Sequence, residues 1–293
     1  MDWAARFETF VDKKTTAAST AQIPGYTTVE SRTDGQRLSA IGNSWTIECL
    51  DGRFYESWPN DQRLPAVNVV FVQSADGNTG TKNPMELGGG LTDKHLVYEG
   101  LSSVHADAIL TGATTIAGED TVMAIWHPEL VSLRVALGLP RFPIQVVATR
   151  SGELGIESSL LYNVPGVRVF ILTGDAGAEA LRPHLKERPW IEVINGGTQP
   201  DLVGGMRTLR ANHGVTRLSS TGGRTLATQL IDAGVVQDLY LTTSPKPGGE
   251  PNTPFYTGRA PLTTTRIVKK AGKGDEAGVT FEHLVFPDAA RPL

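Results

Sequence analysis

The chain has 293 residues, 40% apolar and 20% charged, with a formal net charge of −4. That balance fits a globular protein in solution and argues against a general binder of nucleic acid or anionic membrane. No window approaches the ~18 consecutive apolar residues of a membrane helix, the acidic start M-D-W-A-A-R-F-E reads unlike a signal peptide, and the single Cys49 excludes an internal disulfide and a cysteine-based zinc cluster. A cytosolic protein is expected.

Residues 1–64 differ from the rest. Trp3, Phe7, Phe10 and Val11 fall at helical spacing, and residues 13–25, rich in Thr, Ala and Ser, read as a linker. Short strands are expected at 26–30, 37–41, 44–50 and 53–58, with turns at Gly42-Asn43 and Asp51-Gly52. This predicts a small β-rich extension over 1–64 and a main domain over 65–293.

The main domain opens with the apolar run Val67 to Val72, patterned as a strand buried on both faces, and leaves it through Gln73-Ser74-Ala75-Asp76-Gly77. A Gly-, Asn- and Thr-rich loop follows. Thr92 is then expected to cap a helix whose inward face is Leu96, Val97, Leu101 and Val104. The next strand, 107–110, breaks at Thr111-Gly112-Ala113-Thr114-Thr115, followed by Ala117-Gly118-Glu119-Asp120. Residues 126–141 read as a surface excursion with a helical centre. Further strands are expected at 144–148, 167–172 and 190–194, with helices at 175–187 and 201–212.

The stretch Val215 to Leu241 is a strand, a Thr221-Gly222-Gly223 turn, a helix with Leu226, Leu230 and Ile231 on one face, and another strand. The chain closes with apolar runs at 263–269 and 278–286, expected as an antiparallel hairpin at the sheet edge. Strands alternating with helices imply an open, mostly parallel α/β sheet with helices on both faces. Ligands bind such sheets beyond the carboxyl ends of the strands. Three turns meet that condition: Ser74–Gly77, Thr111–Thr115 and Thr221–Thr225. At a helix start the free N–H groups attract anions, and glycine lets a phosphate come close. Thr221 and Thr225 add hydroxyl donors. Each turn has a plainer alternative: Gly222-Gly223 as a tight strand–helix turn, Asp76-Gly77 as an ordinary turn, and Glu119-Asp120 as a solvated corner. No G-x-G-x-x-G follows the first strand, no Walker lysine is present, and the histidines lack metal-ligand spacing, so no metal is expected.

The blocks V-V-F-V-Q-S-A-D-G, A-D-A-I-L-T-G-A-T-T-I-A-G-E-D and T-G-G-R-T-L-A-T-Q-L-I-D-A-G-V-V-Q-D-L-Y-L resemble, in order and spacing, those of the pyrimidine reductases of riboflavin synthesis. The resemblance spans residues 65–287. It implies a dihydrofolate-reductase-like fold with the C-terminal hairpin, NADPH as cofactor, a ribosylamino-pyrimidine-like heterocycle as substrate, and a homodimer. By position it places Gly112, Thr115, Thr221, Gly222, Gly223, Thr225 and Leu226 along the dinucleotide. It places Ser74 and Asp76 beside nicotinamide and substrate, and Glu119 and Asp120 facing the substrate as the acids that polarise or protonate it. Thr221 stands where the family carries an acid, and Ser103 where it carries an arginine. Two alternatives remain: a reductase of the same fold acting on a pterin or a small carbonyl or imine, and a non-catalytic nucleotide-binding module.

Overall fold

The computed structural model describes residues 2–33, 38–59, 61–117, 120–260, 264–270 and 276–286, the side chains of 264–266 apart. In chain order the elements are helix α1 (Trp3–Ser19), strands β1 (Thr27–Ser31) and β2 (Leu38–Ile41), α2 (Ser44–Leu50), β3 (Phe54–Ser57) and β4 (Ala66–Gln73). Then come α3 (Gly90–Thr92, continued by the π-wound stretch Asp93–Leu101), β5 (Ala108–Gly112), α4 (Pro128–Ala136), β6 (Ile144–Ala148) and β7 (Val169–Thr173). The last are α5 (Asp175–Leu185), β8 (Ile191–Asn195), α6 (Leu202–His213), β9 (Arg217–Ser220), α7 (Arg224–Asp232), β10 (Asp238–Thr243), β11 (Thr264–Lys270) and β12 (Thr280–Val285).

One ten-stranded sheet runs β1-β11-β12-β10-β4-β9-β5-β6-β7-β8. From β10 to β8 all neighbours are parallel, and β12, β11 and β1 continue the sheet antiparallel. Parallel strands need crossovers, and the helices supply them on both faces. On one face Val67, Val69 and Leu218 pack with Met206 and Leu209 of α6 and Leu226, Ala227 and Leu230 of α7. On the other, Val70 and Tyr240 pack with Leu96, Val97 and Leu101 of α3. Each fully buried leucine of this kind contributes about 2–3 kcal/mol.

The strands and helices expected in the main domain are present, with two corrections. The C-terminal hairpin pairs antiparallel as expected but does not form the edge, because β1 pairs with β11 outside it. Its joint, expected over 271–274, lies outside the described residues. Residues 126–141 are no surface excursion: Trp126, Leu130 and Leu133 are buried, and the fully buried Arg134 donates to the carbonyls of Val104 at 3.1 Å and Ala106 at 2.7 Å. Its guanidinium thereby satisfies carbonyls left open where the chain leaves α3.

The N-terminal segment departs most. The expected linker is helical to Ser19, because small residues allow close contact: Ala18 is buried, and Phe10 stacks edge-on against Trp126 at 5.4 Å. Residues 44–50, expected as a strand, form α2. Asn43 is not a hairpin turn but the N-cap of that helix, in a reciprocal capping box with Thr46. The alternation of Trp45, Ile47 and Cys49 imitated a strand, while the cap and the buried Thr46 and Leu50 fit helical spacing.

Candidate active site

The parallel strands β10, β4, β9, β5 and β6 lie side by side and end together. The Ser74, Thr221 and Gly112 turns are therefore neighbours along one rim. Backbone bonds lock their order: Thr221 N–H donates to Leu110 O at 3.0 Å, Ala113 N–H to Ala148 O at 3.1 Å, and Ser244 N–H to Gln73 O at 2.9 Å.

The central turn leads into α7. Gly222 is dictated by packing, since a Cβ there would lie 2.4 Å from Cδ2 of Leu226. Leu226 itself is buried in the core, its side chain packed beneath the turn. Gly223 is the N-cap, contributes no side-chain cap, and a Cβ on it would meet nothing within 4 Å. The first N–H groups of α7 thus open onto free space with the positive end of the helix behind them. Thr225 is exposed on that first turn. The hydroxyls of Ser220 and Thr221 are buried, that of Thr221 against the Tyr98 hydroxyl. Gly112 also faces open space, and Thr115 N–H closes its turn onto Gly112 O at 3.0 Å. Open glycines and an uncapped helix start fit a dinucleotide with its phosphates.

The remaining expected residues take other positions. Ser74 is fully buried, and its hydroxyl accepts Asn78 N–H at 3.3 Å, so it closes its own turn. Asp76 is exposed and accepts Gly248 N–H at 3.3 Å. Asp120 is half-exposed and ion-paired to Arg6 of α1, with Nε and Nη2 each 2.8 Å from Oδ1. Glu119 lies outside the described residues.

Two residues not expected at the rim are there. Arg150, in the turn after β6, is exposed and has no ion pair among the described residues. A cation beside the Gly112 turn would suit an anionic ligand, and its place one residue beyond a strand-end threonine was a usable signal. Asp93, in the first turn after Gly90, has a buried carboxyl against the Thr242 hydroxyl of β10. Burial, helped by the charge of Glu276, pushes its carboxyl up to about 7. Glu276 itself accepts Leu91 N–H at 2.6 Å and so caps α3 from the C-terminal hairpin. His95 is fully buried, and His127 stacks on Trp45 at 4.1 Å.

The model of the RibD C-terminal domain family matches residues 65–277. The chain belongs to that family. The structure is similar to a pyrimidine reductase-like protein of Corynebacterium diphtheriae (TM-score 0.60, 18% identity, 76% of this chain and 92% of that one). It is also similar to Acinetobacter baumannii RibD (0.57, 16%, 76% and 58%) and to the Saccharomyces cerevisiae riboflavin biosynthesis reductase Rib7 (0.52, 13%, 78% and 96%). The chain thus spans little more than half of RibD. No curated protein matches the chain. The fold is the dihydrofolate-reductase-like sheet of RibD-type reductases, and all three expected blocks fall inside the matched residues. Helix α1, with Arg6, lies outside them. Among the described residues no helix is long and apolar enough to cross a membrane.

Proposed function

We propose that this RibD-family chain is an NADPH-dependent reductase acting on a heterocycle of the ribosylamino-pyrimidine type, as a homodimer in the cytosol. The observation that carries the reading is the rim at β9 and β5, where an uncapped helix start and two open glycines adjoin. The first amides of α7 with the exposed Thr225 would hold the cofactor's phosphates, and Gly112 and Thr115 would flank it. When bound, NADPH supplies the hydride; the protein's part is to align the acceptor carbon, exclude water and manage the accompanying proton. Asp120 is held in place for that task by Arg6, and Asp93 adds a second carboxyl able to hold a proton near neutral pH.

Titration with NADPH and with NADH, read by calorimetry, tests the cofactor. Binding that prefers NADPH supports the reading, and a screen of pyrimidines, pterins and small imines for NADPH oxidation follows. Absence of binding by either dinucleotide removes it. The Arg6–Asp120 pair favours one second reading. A cation from outside the family-matched residues changes the acid expected to face the substrate, and so points to a heterocycle other than the family's own.

A further inference from the structure

Residues 1–64 lie outside the stretch that the family model matches, yet one of their side chains reaches the buried acid of α3. That side chain is Tyr26. Its N–H donates to Cys49 O at 2.7 Å. Gly25 before it has φ +76°, and a Cβ there would lie 2.6 Å from the same carbonyl oxygen, so glycine is what lets the chain turn inward here. The Tyr26 ring is 5% exposed and 5.9 Å from that of Phe281. It shares a core with Leu96 and Val97 of α3 and Tyr240 of β10. Phe281 of β12 is the ladder partner of the fully buried Thr242. This packing seats the Tyr26 hydroxyl against the Thr242 hydroxyl, which in turn lies against the Asp93 carboxyl. The Tyr26 and Thr242 hydroxyls have no other hydrogen-bond partner among the described residues.

While Asp93 is ionised, the three groups can bond in one sense only. A phenol donates one hydrogen, a threonine hydroxyl donates one and accepts, and a carboxylate only accepts. Burial, with the charge of Asp93 beside it, holds the Tyr26 phenol well above its ordinary range, so it keeps its hydrogen at neutral pH. Tyr26 then donates to Thr242, and Thr242 to Asp93. Hydrogen bonding to the charged form favours that form, and a chain of donors strengthens its last bond. Glu276 acts the other way, since its charge adds to burial in keeping Asp93 protonated. It also accepts Leu91 N–H at 2.6 Å and Thr92 N–H at 3.3 Å, and so occupies the first amides of α3. Among the described residues, Tyr26 and Glu276 are the titratable groups that face Asp93 from other elements.

We propose that Tyr26 is a positioning residue for Asp93, aiming the Thr242 hydroxyl at the carboxyl and favouring its ionised form. Residues 1–64 thereby complete a part of the site that the family-matched residues do not supply. The use of Asp93 as a proton carrier in a reduction rests on the proposed function; the relay does not.

Carboxyl carbon-13 NMR of the full chain, labelled at aspartate, tests the relay in the parent, Tyr26→Phe, Thr242→Val and the double variant. Loss of a signal in Asp93→Asn assigns Asp93. Tyr26→Phe keeps the ring and its packing and removes only the hydroxyl. The Asp93 midpoint, about 7 in the parent, should rise in Tyr26→Phe. A rise of about half a unit is expected, the scale of one weakened buried hydrogen bond. Thr242→Val should raise it at least as far, and Tyr26→Phe should add nothing in that background. An unmoved midpoint in Tyr26→Phe, or the same shift from Tyr26→Phe with and without the Thr242 hydroxyl, would overturn the relay. The rate of NADPH oxidation against pH, with a heterocycle that the chain reduces, reads the further link. Where Asp93 delivers the proton, the fall in rate with rising pH should move upward in Tyr26→Phe by the shift that NMR records. A shifted midpoint with an unmoved rate profile would uphold the relay and refute the share of Asp93 in the reaction.

Discussion

Arg6 and Asp120, 114 positions apart in sequence, meet at 2.8 Å, so the first helix of the chain reaches the acid that follows β5. The pair is part-exposed and adds no more than about 1 kcal/mol to stability. Its consequence is geometric. Asp120→Asn should leave NADPH affinity unchanged and cut turnover at least about tenfold, the scale of a lost acid or orienting contact. Arg6→Gln should give a similar loss, and the double variant little more. Steady-state rates of NADPH oxidation in the four proteins check this; additive losses would separate the two residues.

Gly223→Asp offers a cleaner test of the phosphate site. A Cβ there meets nothing within 4 Å, and the residue is the N-cap of α7. Aspartate is a favoured N-cap, so the fold should gain stability or hold level. A carboxylate against a phosphate should nonetheless weaken NADPH binding by at least about tenfold. The denaturant midpoint should hold or rise while the calorimetric affinity falls.

Asp93 predicts a pH dependence. Its folded carboxyl titrates at about 7, above its ordinary value of 3.8, because burial disfavours the charge. The native state therefore binds more protons than the unfolded chain between those values, and stability falls as pH rises from about 4 to about 7. Asp93→Asn should flatten this slope and be more stable than the parent above pH 7. Urea unfolding at pH 5 and pH 8 compares the two.

Lys269 works in the opposite sense. It is buried, donates to Thr28 Oγ1 at 2.7 Å, and burial lowers its ammonium to about 8 from 10.5. Between these values the unfolded chain holds the extra proton, so stability rises with pH over that range. In Lys269→Met the rise should be absent, as a parallel denaturation series from pH 7 to pH 10 would show.

The parallel half of the sheet was legible because its strands are buried on both faces and read as continuous apolar runs, as in Val67 to Val72. The rim was legible because glycines and threonines fall where those runs stop. Three features were hidden for physical reasons. The period of Trp45, Ile47 and Cys49 suits a strand, and only the Asn43–Thr46 cap reveals the helix. Asp93 looks like any acid in a first helical turn, since its burial depends on Glu276 and on strands distant in sequence. The partner of Asp120 lies in a segment whose packing site no local pattern encodes.

The edge strand β1 also sets an order of events during synthesis. Thr27 pairs with Lys270, near the other end of the chain. At ~5–20 residues per second, the ribosome delivers β11 ten seconds or more after β1. During that interval the first strand has no partner in the sheet, and its exposed backbone is open to other strands. Nascent chains halted before residue 260 should therefore be protease-sensitive at residues 20–33, with protection appearing only once the C-terminal hairpin has emerged.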